Sequence, residues 1–590
     1  MTSRQVLDAP RVPLPEAPPA ERSVSRRLPR RTLFAALRLV PLLLPPIALV
    51  AVVVYPIVGA IIDTYVQDGH VTLAPFRSLF DDPTFGDVVK NTVIYALGTL
   101  ALATVMGIFL AWAVERTDAR IRWFAGVLPI LPLVVPPIGS VIGYTLLLSP
   151  RSGLANRGLR ALLGMHGEGP INVNSMLGLI IVSSINMVPS CYLVLSAAFR
   201  QLDGSLDEAS RVCGAGPGRT ALRVTLPAIR PALASAALIV GIMTIGMFAF
   251  PMIIGTGARI TVASVFIFRQ FSNYPGNPGA AISFGLLVLV LVEGAVLVQN
   301  RLLRASRHAL VAGKQGGGQR LRLGVWKWPV RVLMIAYLLA VVAPVVGLLI
   351  GSLQPFIGAP LSLHTLGFEQ FHTVLGDSVV TRAVTNSVVL GLIAAGVAMC
   401  LASGFAFSAR GARGFLGLLP MRLAFLPSAI PHVVLASAFL IAFSREPFSL
   451  YGTKTLLVIA YAVMYMPQAV SAASAAVSQV SPELSEASRV SGAGPLRTAV
   501  RVVLPQVAAG LLAGVIIVFS LSTHEVTASS LLAGVGNPVS GQVAVDYYST
   551  GLFSEVAVLA LIMVVIAAVV VTAAFGIVRR SYTRGSGSSA

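Results

Sequence analysis

Two kinds of segment in this sequence carry side chains that could do chemistry. The first is a hydrophilic stretch that occurs twice, as LDEASRVCGAGPGRTALRVTLP at 206–227 and as LSEASRVSGAGPLRTAVRVVLP at 484–505, with 17 of 22 positions identical. We call these two stretches the repeat loops; their Glu and Arg side chains could form ion pairs with a partner. The second is STHEVTASSLL at 522–532, which places hydroxyl, imidazole and carboxylate groups in an apolar region.

Neither segment has the residue pattern of an enzyme active site. No nucleophile, base and orienting residue stand together in the sequence, and the three cysteines, Cys191, Cys213 and Cys400, do not have metal-ligand spacing. The glycine-rich AGKQGGG lacks the Ser or Thr that follows the lysine of a phosphate-binding loop. We therefore expect no catalytic residue, no metal site and no bound cofactor in this chain.

The elements that must position these segments are membrane helices. Of the 590 residues 56% are hydrophobic and only 11% are charged, whereas a soluble protein has roughly 25% charged residues. An all-α polytopic membrane protein is predicted, with about twelve transmembrane helices. The predicted segments are 39–61, 91–114, 123–148, 175–199, 232–255, 280–300, 329–352, 385–409, 420–443, 455–478, 507–532 and 553–578.

The distribution of basic residues predicts the orientation. With the N-terminus in the cytoplasm, 33 of the 43 Lys and Arg residues fall at cytoplasmic positions, as the positive-inside rule requires. Both termini and both repeat loops are then cytoplasmic. Contact with membrane lipids accounts for the net charge of +20, and nothing in the sequence calls for nucleic acid.

The repetition divides the chain into two parallel six-helix halves. The register of the repeat extends back through the preceding helix, where Pro189 aligns with Pro467, and LPLVVPP at 131–137 resembles LPSAIPH at 426–432. We predict a disordered cytoplasmic tail at 1–31, a first half at 32–300, a basic cytoplasmic linker at 301–328, a second half at 329–580 and a C-terminal tail at 581–590. Six helices per half give both halves the same orientation.

Each repeat loop is predicted to form a helix–turn–helix on the membrane surface. Gly214 and Gly492 end the first short helix by taking a left-handed backbone conformation. Pro217 and Pro495 begin the second, because proline is tolerated in a first turn.

The residues E-A-S-x(3)-G-A-G followed by L-P resemble the EAA loop of membrane permeases in binding-protein-dependent ATP-binding-cassette importers. Ser210 and Ser488 stand where that motif has its second alanine. The resemblance covers nearly the whole chain and implies that each loop inserts into a groove on an ATPase. The implied ATPase-coupling residues are Glu208, Ala209, Gly214 and Arg219, and Glu486, Ala487, Gly492 and Arg497.

The resemblance also implies the partners of the chain. Two ATPase subunits would bind on the cytoplasmic side and hold ATP and Mg²⁺, and an extracytoplasmic solute-binding protein would deliver the cargo. The location would be the bacterial cytoplasmic (inner) membrane.

Polar groups inside a membrane are costly and often functional, so they are candidates for a translocation pathway. The predicted pathway residues are the polar Asn186, Ser522, His524 and Glu525, together with the aligned helix prolines Pro189 and Pro467. Glu293 is interpreted as a packing or linker contact, and His432 as a residue at a helix break. The first-half segment TIGMFAFPMIIG, which corresponds to the polar stretch, is apolar, so an asymmetric pathway is expected.

A second resemblance concerns the cargo. The fused halves and the fifth-helix segments resemble the iron(III)-type branch of these permeases, and thiamine, phosphonate and polyamine permeases are alternatives. A secondary transporter of the major facilitator type also has twelve helices, but its glycine-containing loop between helices two and three is ERTDARIR here. That class also leaves the doubled loop unexplained.

Overall fold

The computed structural model describes residues 30–121, 132, 135–202, 205, 209–210, 212–306, 321–357, 359, 362, 364–411 and 415–586. The first half contains α1 (Arg30–Tyr65), β1 (Val66–Gln67), β2 (His70–Val71), α2 (Ala74–Phe80), α3 (Phe85–Arg116), α4 (Pro137–Leu148), α5 (Leu154–Leu163), α6 (Met176–Gln201), α7 (Pro217–Thr220), α8 (Leu226–Ala228), α9 (Arg230–Gly246), α10 (Thr256–Ala258), α11 (Ala263–Ser272) and α12 (Pro278–Ser306). The strands β1 and β2 form an antiparallel hairpin.

The second half repeats this order without the hairpin among the described residues. It contains α13 (Lys327–Leu353), α14 (Glu369–Gly376), α15 (Ser378–Gly411), α16 (Phe415–Leu423), α17 (His432–Phe443), α18 (Lys454–Met464), α19 (Met466–Ser478), α20 (Pro482–Val490), α21 (Pro495–Thr498), α22 (Leu504–Thr523), α23 (Thr527–Leu532), α24 (Ser540–Ser549) and α25 (Phe553–Ser586). Short 3₁₀ turns lie at Gly324–Trp326 and Leu426–Ala429, and π-helical turns at Ala221–Thr225, Pro251–Gly255 and Ala499–Val503.

The all-α membrane architecture predicted from composition is confirmed. Eight described helices are long and apolar enough to cross a membrane, and the number rises to twelve if each of four bent helix pairs is one span. These twelve are not the predicted twelve. The bent pair Pro251–Ala258 and Ala263–Ser272 was not predicted, and the predicted segment 123–148 lies partly outside the described residues and continues as α4, a helix of 12 residues.

The two predicted fifth helices, 232–255 and 507–532, are wrong as continuous spans. In the first half the helix ends at Gly246, Met247 is extended, and Pro251, which has no N–H to donate, begins a new turn. In the second half α22 ends at Thr523, and a new helix, α23, starts at Thr527. Each fifth helix is therefore followed by a stretch of short helices, and we call these stretches, 251–272 and 527–549, the hairpin segments.

The second membrane helix of each half, α3 or α15, contacts its hairpin segment through matching hydrogen bonds. In the first half Thr92 Oγ1 accepts from the amide of Ala263 at 2.8 Å. In the second half Ser387 Oγ accepts from the amide of Ser540, also at 2.8 Å. The side-chain amide of Asn386 donates to the carbonyl of Pro538 at 2.9 Å. These bonds fix where the chain re-enters the helical core after each break.

The two halves exchange their third helices. Helix α4 of the first half packs against α13 and α25 of the second, and α17 of the second half packs against α1 and α12 of the first. The approach of α4 to α13 is very close, because a Cβ atom on Gly143 would overlap the carbonyl group of Pro344. Glycines allow such backbone contact between membrane helices. Both buried hydrophobic cores accordingly contain residues from both halves.

The halves differ in how the repeat loop joins the fifth helix. In the first half the chain bends by 76° between two helical stretches, Gly218–Ala228 and Arg230–Gly246. In the second half the corresponding stretch, Ala499–Thr523, forms one span. Pro231 in the first half aligns with Ala509 in the second. Proline cannot donate the amide bond that would continue the helix, so the sequence difference explains the bend.

Candidate functional site

The second repeat loop folds as a helix, a left-handed turn and a second helix. Helix α20 ends near Ser491, whose amide donates to the carbonyl of Ala487 at 3.0 Å. Gly492 follows with φ of 80°, and the amide of Ala493 reaches back to the carbonyl of Ser488 at 3.0 Å. Pro495 then starts α21. The predicted turn at Gly492 and the restart at Pro495 are confirmed.

The first repeat loop has the same geometry where it is described. Gly214 has φ of 78°, and the amide of Cys213 donates to the carbonyl of Ala209 at 3.1 Å. The amide of Ala215 bonds to the carbonyl of Ser210 at 3.1 Å. Glu208 lies outside the described residues. The left-handed region is strained for residues other than glycine, so both turns depend on glycine.

A pair of hydroxyl groups joins the two helices of each loop. Ser210 Oγ lies 2.9 Å from Thr220 Oγ1 in the first loop, and Ser488 Oγ lies 2.8 Å from Thr498 Oγ1 in the second. A π-helical turn follows both threonines, at Ala221–Thr225 and Ala499–Val503. The serines that replace the alanine of the EAA motif therefore have a structural role that the sequence did not reveal.

The surface of each loop is exposed and combines apolar with charged groups. Val212 and Val490, which occupy equivalent positions, are both 89% exposed. The described residues of the predicted coupling set are all exposed as well: Ala209, Gly214, Arg219, Glu486, Ala487, Gly492 and Arg497. An exposed valine at the same place in two copies is typical of a contact surface.

The second site lies where the fifth helix of the second half is interrupted. Glu525 is buried, with 4% of its surface exposed, and its Oε2 accepts a hydrogen bond from the amide of Ser529 at 2.9 Å. The hydroxyl of Ser529 lies 2.8 Å from that of Tyr461 on α18. A carboxylate, a serine and a tyrosine are thus joined across two helices.

His432 and Tyr465 complete this group. Their rings meet edge to face, with 5.5 Å between the ring centroids. They come near Glu525 because α23, the helix that follows it, packs against both α17 and α18. We call His432, Tyr461, Tyr465, Glu525 and Ser529 the polar cluster.

The polar cluster contains only one of the six predicted pathway residues. His524 points elsewhere, with Nε2 at 3.4 Å from the carbonyl oxygen of Met563. Ser522 is buried, and its hydroxyl has no hydrogen-bond partner among the described residues. Pro189 is buried within α6 and Pro467 near the start of α19. Asn186 is half-buried on α6, which packs against α3 and α9.

Sequence reasoning missed Tyr461, Tyr465 and Ser529. Tyr461 and Tyr465 lie one helical turn apart, and this spacing was the available signal. His432 was interpreted only as a residue at a helix break. It does occupy the first position of α17, after Pro431, but α17 also packs against α23, the helix that follows Glu525.

The equivalent place in the first half has no charge. Counting back by the 278-residue offset of the repeat, Met247 corresponds to Glu525 and Ser183 to Tyr461. The hydroxyl of Tyr95 donates to Ser183 Oγ at 3.0 Å and to Met247 Sδ at 3.1 Å. The two helix breaks therefore share a position but differ in chemistry, in line with the expected asymmetry.

Both helix breaks lie where the two halves meet. A Cβ atom on Gly246, the last residue of α9, would be 3.7 Å from Cα of Pro431 and 3.9 Å from the amide nitrogen of His432. The first-half break thus adjoins the start of α17, and the second-half break packs against the same helix.

An open cleft of about 550 Å³ lies at the C-terminal ends of α1 and α17. It is lined by both halves, and an ion pair between Arg445 and Asp63 at 3.0 Å crosses it.

Taken with the exchanged helices, the paired loops define a membrane permease made of two fused, homologous halves. Residues 103–308 and 371–584 both match the family described as "binding-protein-dependent transport system inner membrane component". The chain belongs to this family and carries its domain twice. The alternative of a secondary transporter of the major facilitator type is therefore wrong.

Several curated relatives are similar over most of their length. The putative ferric transport system permease protein FbpB 1 of Haemophilus influenzae is 24% identical over 487 residues, which is 78% of this chain and 74% of the relative. The ferric transport system permease protein FbpB of Actinobacillus pleuropneumoniae is 24% identical, covering 81% and 69%. The probable ABC transporter permease protein y4fN of Sinorhizobium fredii is 28% identical, covering 77% and 82%.

Among solved structures, a bacterial ABC transporter involved in the import of alginate matches 47% of this chain and 99% of its own, with 21% identity and a TM-score of 0.40.

Proposed function

We propose that this chain supplies both halves of the membrane-spanning permease of an ATP-driven importer and that its cargo is ferric iron. One observation carries the proposal: two exposed loops with the same left-handed turn and the same hydroxyl pair occur in one chain. Two equivalent contact surfaces favour a pair of equivalent partners. The partners are two ATPase subunits, which bind ATP and Mg²⁺ and hydrolyse the nucleotide, so the chain itself is not an enzyme.

The loops are suited to transmit motion. Each loop is held as a unit by its own hydrogen bonds and is followed, through the π-helical turn, by the fifth helix of its half. When the ATPase dimer closes, the loops move with it and tilt these helices. The breaks at the ends of the fifth helices then separate or close, so the pathway between the halves opens alternately to each side.

The direction and location of transport follow from the same arrangement. An inner-membrane location is supported by the family description, which reads "inner membrane component", and the basic residues favour cytoplasmic termini and cytoplasmic loops. A solute-binding protein delivers cargo at the face opposite the repeat loops, where the cleft lined by Asp63 and Arg445 opens. Iron is favoured by the names of the relatives in Haemophilus influenzae and Actinobacillus pleuropneumoniae. Thiamine, phosphonate and polyamines are the alternatives within the same importer class.

The partner claim is tested by affinity purification of the full chain from its native membrane. Two ATPase subunits per chain, measured by native mass spectrometry, are expected. A wild-type complex with one ATPase or none under all conditions contradicts the proposal.

The cargo claim is tested on the cognate solute-binding protein, titrated with ferric iron, thiamine, aminoethylphosphonate and spermidine. Tight binding of iron alone is expected. Binding of another solute instead would remove the iron assignment and leave the importer assignment in place.

A further inference from the structure

A buried carboxylate in the middle of a membrane protein needs an explanation. Glu525 has 4% of its surface exposed and lies after α22, a span of predominantly apolar residues. An ionisable residue at such a position is expensive to bury and is commonly functional. It does not face lipid, since α17 and α18 pack against the helix that follows it.

The simplest structural explanation is that Glu525 ends α22 and caps α23. Its carboxylate does accept a hydrogen bond from the amide of Ser529. The first half, however, makes its break at the same aligned position with Met247, whose backbone is extended. A fifth helix can therefore be interrupted here without a carboxylate, so capping does not account for the charge.

The groups around Glu525 suit a positively charged solute. The hydroxyl of Tyr461 is joined to Glu525 through Ser529. The rings of His432 and Tyr465 meet edge to face, and the helices α17 and α18 that carry or precede them pack against the helix that follows Glu525. Carboxylate and hydroxyl oxygens are ligands for hard cations, and aromatic rings attract organic cations. No described Lys or Arg forms an ion pair with Glu525 at 4 Å or less.

The position of Glu525 between the two halves also suits a solute site. Glu525 follows one helix break, and Gly246, which precedes the other, adjoins His432. Solute sites of membrane transporters commonly form near the bilayer midplane, between repeats and beside discontinuous helices.

We propose that Glu525, with His432 and Tyr465, forms a one-sided contact site for a cationic cargo between the two halves. The inference rests on the proposed importer function and deepens it, because it selects ferric iron, thiamine or a polyamine over an anionic phosphonate. One carboxylate on one half attracts the cation without enclosing it. The cargo can therefore leave when the halves move apart.

The test uses the full chain with its ATPase subunits and its cargo-loaded binding protein in proteoliposomes. Two quantities are measured: cargo uptake and the ATPase activity that the binding protein stimulates. Glu525→Gln keeps the size and hydrogen-bonding capacity of the side chain but removes its charge. We expect uptake to fall roughly tenfold or more while stimulated ATPase activity stays within about twofold of wild type.

Two further variants separate charge from structure. Glu293, half-buried in the membrane helix α12, is the matched control: Glu293→Gln makes the same chemical change outside the polar cluster and should leave both quantities within about twofold. Glu525→Asp keeps the charge and shortens the side chain by one methylene, so it should recover part of the uptake that Glu525→Gln loses. If Glu525→Asp and Glu525→Gln abolish uptake and stimulated ATPase activity alike, Glu525 is structural and the inference is overturned.

The identity of the cargo supplies the remaining outcomes. Uptake of iron, thiamine or spermidine that depends on Glu525 supports the inference and identifies the cation. Normal uptake by Glu525→Gln, or a wild-type system that imports aminoethylphosphonate instead, overturns it. These failures differ from failure of the proposed function, in which the wild-type chain itself has no ATPase activity stimulated by the binding protein.

Discussion

Ser488 Oγ lies 2.8 Å from Thr498 Oγ1, and this contact joins two helices across the left-handed turn at Gly492. The same pair, Ser210 and Thr220, stands at 2.9 Å in the other half of the chain. Because Thr498 is only 5% exposed, its hydroxyl depends on the serine for a partner on the facing helix. The two loops are therefore stabilised by the same small polar contact.

Removing both hydroxyls should weaken the turn by less than the sum of the two single removals. Ser488→Ala leaves the buried hydroxyl of Thr498 without this partner, at a cost of about 1–3 kcal/mol. In the double variant with Thr498→Val the cost should be clearly smaller than the sum of the single effects. Hydrogen exchange at the amides of Ser491 and Ala493 measures the local stability. Additive effects would show that the two hydroxyls do not interact.

The left-handed turns should tolerate asparagine but not valine. A Cβ atom on Gly214 or Gly492 would meet nothing within 4 Å, so only the backbone conformation opposes substitution. The left-handed region costs about 1–2 kcal/mol for most residues, and less for asparagine.

We expect the double variant Gly214→Val, Gly492→Val to insert normally but to lose transport and ATPase coupling. The corresponding Asn variant should keep both. Unchanged transport in the Val variant would contradict the role of the turns.

Substitution of Gly143 should disrupt the contact between α4 and α13, whereas substitution of Gly139 should not. A Cβ atom on Gly143 would overlap the backbone of Pro344, whereas one on Gly139 would sit at an ordinary 3.5 Å from Leu348. Gly143→Ala should lower stability by about 1–3 kcal/mol through overpacking.

Gly139→Ala, one turn away on the same helix, is the control and should have little effect. Thermal unfolding of the purified chain in detergent is the measurement. Equal unfolding temperatures for the two variants would refute the close approach of α4 and α13.

The hydrogen-bonded pair of Tyr547 and Asp377, on the face opposite the repeat loops, should make the stability of the protein depend on pH. The hydroxyl of Tyr547 donates to Asp377 Oδ2 at 2.7 Å, and the amide of Val379 donates to Oδ1 at 2.7 Å. These bonds, the tyrosine first, hold the pKa of Asp377 below its ordinary value.

Since the pKa of Asp377 is lower in the folded state, the carboxylate adds stability above its unfolded pKa. That contribution is lost as the pH falls through the folded pKa. Tyr547→Phe should therefore unfold earlier than wild type at neutral pH, and the gap should narrow in acid. A gap that stays constant from neutral to acidic pH would exclude this linkage.

Local chemistry in the sequence was sufficient to predict the repeat loops. Gly492 and Pro495 mark the turn and the restart because their backbone preferences act within a few residues. The polar cluster could not be predicted in this way, since His432 and Glu525 lie far apart in the chain and meet only through the packing of α17 on α23. Hydropathy also merged each broken fifth helix with the segment that follows it, because the first-half break is apolar and the few polar residues of the second-half break stand among apolar ones.

The exchange of third helices bears on how the chain is made. Helix α4 packs on α25, which belongs to the second half, so during synthesis α4 must wait for the second half to emerge before its partner exists. Nascent domains usually fold as they leave the ribosome. Here, completion of the first half is tied to translation of the second, and a truncated product would expose the small-residue face of α4 to lipid or proteases. Fusion of the halves also guarantees that each α4 meets its partners in a one-to-one ratio.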